Sequence, residues 1–163
     1  MSSVLKISDV AIDSLRTLLE RFQLSLEIQP GNEDITGSFW GECEAGIVST
    51  SVFVRGDTPI HSLLHETCHV ICMTPERREG LNKDAGGGDL EEAAVCYLQI
   101  LLADHIKNVG SDRLMQDMDR WGYSFRLGTT RLWFEEDAED ARAWLLEQEL
   151  IDDSARPLFR LRR

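Results

Sequence analysis

His65-Glu66-Thr67-Cys68-His69, set within residues 59–73, is the stretch on which the reading of this chain turns. Residues four apart on an α-helix share a face, so His65 and His69 can offer two imidazole nitrogens to one ion if the segment is helical. Zinc is the natural candidate, and a catalytic zinc takes three protein ligands and keeps a position for water, beside which Glu66 would stand as general base. The surroundings favour a buried helix: Thr58 is placed to cap it, Pro59 fits the first helical position, Ile60, Leu63, Leu64, Val70 and Ile71 supply apolar surface, and Pro75 stops it. The competing reading makes both histidines polar members of a helix face, with no metal.

Composition sets the class of protein. A chain of 163 residues, 42% hydrophobic and 28% charged, can build one domain with a real core, so residues 1–163 are expected to form a single domain. A formal net charge of -12 argues against direct binding to nucleic acid, which draws on clustered Lys and Arg. The stretch 93–103 is too short and too interrupted by Gln99 to span a bilayer, and no basic start precedes an apolar run, so a cytoplasmic protein without membrane contact is expected. Cys43, Cys68, Cys72 and Cys96 lack disulfide-framework spacing; Cys68 and Cys72, four apart, read as small buried hydrophobes.

Working outward from the motif, residues 46–54 alternate cleanly and predict a strand running into the motif helix. Left at a sheet edge, it could pair with an extended peptide; placed inside the sheet, it could not. Residues 24–28 and 36–43 predict two further strands, and residues 8–22 a packing helix with Ser8 as N-cap. Beyond the motif, residues 76–88 read as a polar loop ending in flexible Gly86-Gly87-Gly88, and 89–106 as a second long helix. A shorter helix from Ser111 or Asp112 to Trp121, an extended stretch over 123–134 and a final helix over 135–150 complete an α+β pattern.

Two histidines need a third donor, and Leu90-Glu91-Glu92-Ala93-Ala94 offers two. Asp89 stands where an N-cap belongs, and Glu92 would close a capping box with it. Glu91 shares the inward face of Ala94, Val95, Leu98 and Leu102, where a carboxylate is costly unless paired or metal-bound. Glu91 is therefore the expected ligand, with Glu92 the alternative and Asp84 or Asp89 more remote.

With Tyr97 following Glu91-Glu92-Ala93-Ala94, this pair of motifs resembles the gluzincin branch of zinc metallopeptidases, and is loosely similar to the ImmA/IrrE type. The resemblance covers at most residues 46–103. It implies a zincin-like domain, in which a small sheet of three to four strands packs on the histidine helix and a second glutamate-bearing helix, and it implies hydrolysis of a peptide or protein substrate.

On that reading His65, His69 and Glu91 hold Zn2+, Glu66 takes the proton from the attacking water and returns it to the leaving amine, and Tyr123 supplies a further donor to the oxyanion. Arg126 and Arg131 are weaker candidates for that donor. His61 reads as a capping or solvent-facing residue, His105 as a partner of its helix end, and Trp121, Trp133 and Trp144 as packing anchors. The alternative function is a zinc-binding regulatory or protein-interaction domain with little turnover; Glu66 argues for the enzyme, since a closed structural site has no use for a base.

Overall fold

In the computed structural model, which describes residues 3–163, the apolar repeat around the motif winds into α2 (Ile60–Cys72), and every residue of that helix except His65 is buried. A helix buried on all sides belongs in the interior, and the remaining elements are arranged around it. Thr58 closes the turn before it instead of capping it: its hydroxyl accepts from the Arg55 amide at 2.9 Å, and Pro59 takes the N-cap position. At the other end buried Arg78 donates to the carbonyls of Val70 and Met73, satisfying groups that a helix terminus leaves open.

The described residues form an α+β fold, with seven α-helices among them and a small mixed sheet. The sheet holds β1 (Ser25–Ile28), β2 (Gly46–Val48) and β3 (Ser51–Val54) in the order β1-β3-β2, β1 parallel and β2 antiparallel to β3. The strand expected over 46–54 is thus a hairpin. Its alternation continues through a tight turn at Ser49 and Thr50, with Ser49 at φ 53, so Ile47 and Val52 pair across it and both are buried. The strand expected over 36–43 does not form, because the backbone turns through positive φ at Gly37, Gly41 and Glu42. Gly37 is required there: a Cβ would lie 2.7 Å from the Ile47 carbonyl oxygen.

The outer edge of β2 is already occupied. The Ile47 amide donates to Gly37, the Lys83 amide donates to Ile47, and the Ser49 amide donates to Leu81, each at 3.0 Å. An added peptide strand would find these groups engaged.

Helix α1 (Ile12–Glu20) is shorter than the expected 8–22, since Ile7–Asp9 forms a separate 3-10 turn before it. The polar segment after α2 holds a short helix, α3 (Pro75–Glu79), capped by Thr74; Pro75 ends one helix by starting another. Helix α4 (Asp89–Ala103) lies along α2, with Ala94 fully buried. Then follow α5 (Gly110–Trp121), α6 (Thr130–Glu136) and α7 (Glu139–Glu147). The extended stretch expected over 123–134 becomes α6 in its second half, where Thr129 accepts from the Leu132 amide, and the helix expected over 135–150 is divided between α6 and α7. After α7 the chain returns to α2, where the Arg162 amide donates to Ile71 O at 2.9 Å. No helix among the described residues is long and apolar enough to cross a membrane.

Candidate metal centre

One turn of α2 sets the rings of His65 and His69 with centroids 4.7 Å apart, and their Nε2 atoms converge on the two oxygens of one carboxylate. That carboxylate belongs to Glu92 on α4, at 2.9 Å from His65 and 3.0 Å from His69. Donor atoms of His65, Glu66 and His69 also lie within 4.8 Å of one another, as do those of His65, Glu92 and Cys96. The cluster could hold a metal ion.

The tautomer of His65 follows from its surroundings. Gln99, fully buried on α4, donates its amide Nε2 to the His61 carbonyl at 3.2 Å, which leaves Oε1 facing His65 Nδ1 at 2.7 Å. Only an N–H at Nδ1 satisfies that contact, so Nε2 of the neutral ring carries a lone pair. Two acceptors, Nε2 and the Glu92 oxygen, then face each other at 2.9 Å, and they repel unless a proton or a cation lies between them. A ligand histidine anchored through its other nitrogen is the usual arrangement around a bound metal. His69 lacks this anchor: its Nδ1 is buried without a partner among the described residues.

Glu91, expected as the third ligand, is not placed to be one: it faces away from the histidines. Arg77 grips both of its oxygens at 2.8 Å, and Arg162 approaches one of them at 3.4 Å. A carboxylate buried on this face does need a partner, and two arginines meet the need. Glu92 has no capping duty either, for the N-cap of α4 is Gly88 and Asp89 already lies within the helix. The Arg77–Glu91–Arg162 cluster instead pins the start of α4 so that the next residue, Glu92, turns toward the histidines. Gly87 leaves room for it, since a Cβ there would sit 2.3 Å from Glu91 Oε2.

Burial works against a charge on Glu92, but hydrogen bonds to His65 and His69 and their charges outweigh it and hold its pKa well below the usual carboxylate range. Burial pushes Glu66 upward, against the pull of the two histidines. Tyr123, expected near the site, is there: its hydroxyl lies 3.2 Å from His61 Nδ1 and its ring centroid 5.8 Å from that of His65, and burial pushes its pKa up to about 12. His61 is buried instead of solvent-facing, and desolvation lowers its pKa to about 4.

Other candidates lie elsewhere. Arg126 pairs with Asp137 and Arg131 with Asp112, and neither lines the cleft; His105 packs on Phe159 with centroids 5.1 Å apart. Cys68 and Cys72 are fully buried free thiols whose pKa values burial raises, in keeping with packing roles. In front of the histidine–carboxylate cluster lies a cleft of about 380 Å³ that includes Trp40, Glu44, Glu66, Glu92, Trp121 and Tyr123, and a neighbouring one of about 270 Å³ is bounded by residues 83–87. Gln99, Glu44 and Trp40 had no assigned role in the sequence. Only Gln99 left a signal there, as an uncharged polar residue on the same helical face as Glu92 and Cys96 in an otherwise apolar run.

No protein-family model, curated protein or solved structure matches the chain.

Proposed function

We propose that this protein is a zinc-dependent hydrolase of peptide bonds with a zincin-like arrangement, its metal held by His65, His69 and Glu92. The observation that carries the reading is the convergence of His65 Nε2 and His69 Nε2 on the two oxygens of the Glu92 carboxylate, at 2.9 and 3.0 Å, with Glu66 beside them. Two imidazole nitrogens and a carboxylate are a donor set that suits zinc. When bound, zinc supplies Lewis acidity that polarises the scissile carbonyl and acidifies the attacking water.

The protein's own groups do the rest. Glu66, beside both histidines and open to both clefts, accepts the proton of the attacking water and delivers it to the leaving amine. Its raised pKa suits a group that must carry a proton in mid-reaction. Tyr123 keeps its proton at neutral pH and lines the same cleft, where its hydroxyl donates to the developing oxyanion. His61, hydrogen-bonded to that hydroxyl, positions it. The test is a Glu66→Gln variant assayed on a mixed peptide library: zinc content near one per chain in both proteins, with cleavage only in the wild type, is the expected result. Equal cleavage by both, or a zinc content near zero in the wild type, overturns the reading.

A further inference from the structure

The cleft in front of the metal cluster has walls that the hydrolytic reading does not use. It carries three carboxylates, from Glu44, Glu66 and Glu92, and no lysine or arginine. Glu66 and Glu92 are committed to the centre, but Glu44 stands off it, between β2 and the end of α5. Its oxygens are held by two neutral donors, Trp121 Nε1 at 2.9 Å and the Ser62 hydroxyl. Ser62 Oγ in turn accepts from the Ala45 amide at 2.9 Å. The carboxylate is therefore fixed in direction, while its charge has no cationic partner among the described residues.

Two indoles flank it. Trp40 is 72% exposed and Trp121 44% exposed, so neither is accounted for by core packing. Trp121 packs beside buried His61, with ring centroids 5.0 Å apart, and is anchored by its bond to Glu44, while Trp40 sits edge-on to Phe39 at 5.2 Å on the opposite rim of the cleft. An oriented carboxylate in a cleft that also carries two exposed indoles is the chemistry that binds an organic cation. The neighbouring cleft differs in holding Lys83, so the preference belongs to the Glu44 side of the centre. The net charge of -12 adds a long-range attraction for basic peptides.

We propose that this cleft receives the cationic side chain of an arginine or lysine adjacent to the bond that is cleaved, held by Glu44 between Trp40 and Trp121. This rests on the hydrolase reading for the word "cleaved" and on the cleft alone for the cation.

The experiment uses N-acetylated, C-amidated decapeptides that differ at one position, carrying Arg, Lys, norleucine or Glu, with the zinc-loaded full chain and mass-spectrometric readout. Arg and Lys peptides are expected to be cut about tenfold faster than the norleucine peptide. In Glu44→Gln that ratio falls to about one, and in Trp40→Ala it falls partway. Trp40 is mostly exposed, so its variant keeps the test open if Glu44→Gln fails to fold, which thermal melting shows. A second arm titrates the same peptides into zinc-loaded Glu66→Gln, following tryptophan fluorescence, with the Arg peptide expected to bind several-fold more tightly than norleucine. Cleavage without preference for a basic residue, or a preference that both variants retain, overturns the proposal. So does cleavage that occurs only when the same peptides are offered without the N-acetyl group, which would assign the cation to an α-amine. If the wild type cuts nothing, the hydrolase reading fails and the binding arm decides: a preference for Arg that Trp40→Ala reduces sustains the cationic cleft, and equal or absent binding overturns it.

Discussion

Replacing Gln99 with methionine tests the centre through a residue that touches no metal. Methionine keeps the length and flexibility of the side chain but removes the acceptor facing His65 Nδ1 and the donor to the His61 carbonyl. Gln99 is fully buried, so no water replaces the lost acceptor easily, and an unsatisfied buried donor costs about 1–3 kcal/mol. The ring then either pays that cost or turns to the other tautomer, which puts a proton on Nε2 and removes the lone pair. Loss of such an outer partner typically weakens a metal site about 10- to 100-fold, or about 1.4–2.7 kcal/mol, the same size as the hydrogen-bond estimate. Zinc affinity measured by competition with a chromophoric chelator should fall by that factor. A Gln99→Glu variant, which restores an acceptor at the same place, should recover at least part of it. Zinc affinity of the methionine variant within twofold of wild type would refute the tautomer argument.

Further consequences concern the carboxylates, the metal and pH. Exchanging Glu92 for Gln should lower zinc affinity at least tenfold, whereas Glu91→Gln should leave the ligand set intact and act on stability; a larger affinity loss in the Glu91 variant would contradict the placement of both residues. Glu91→Ala leaves Arg77 and Arg162 without their shared acceptor and should destabilise the fold by about 1.5–3 kcal/mol in urea unfolding, the lower end applying because both arginines can reach water. Zinc at about a hundred times its Kd should add about 2.7 kcal/mol and raise Tm by about 5–11 °C, a shift that a chelator abolishes and His69→Ala prevents. His61 has a folded pKa depressed by burial to about 4, opposed by Asp117 and assisted by His65, against 6.5 for the free side chain. The stability it reflects is fully present above about pH 6.5 and is lost as pH falls toward 4, by up to about 3 kcal/mol, and unfolding curves of His61→Gln should show a flatter dependence in that window.

What could be read from the sequence was whatever depends on neighbours along the chain. The buried motif helix, the second helix beside it and the placement of Glu66 all follow from periodicity over residues close in sequence. The choice between Glu91 and Glu92 did not. Both are consistent with an amphipathic α4, and the deciding partners, Arg77 and Arg162, come from α3 and from the far end of the chain. The hairpin at 46–54 was hidden for a different reason: a two-residue turn preserves the alternation on which strand reading relies. The strand expected over 36–43 fails because Gly37 and Gly41 adopt positive φ that composition alone does not reveal. Tyr123 was found by its chemistry and not by its element, since it lies just past α5 and before the turns that lead to α6. Glu44 and Trp40 could not have been found, because nothing local marks a loop carboxylate or indole as facing a site built from other elements.

The arginine clasp around Glu91 also has a bearing on biosynthesis. Glu91 leaves the ribosome 71 residues ahead of Arg162, a delay of roughly 4–14 seconds at about 5–20 residues per second. Until then its negative charge has only Arg77 as counterion, and the α4 terminus that aims Glu92 is held from one side. In a nascent chain Glu92 would accordingly be fixed against His65 and His69 only after Arg162 has emerged, which leaves an interval in which α2 and α4 are made but the cluster between them is not yet held in place.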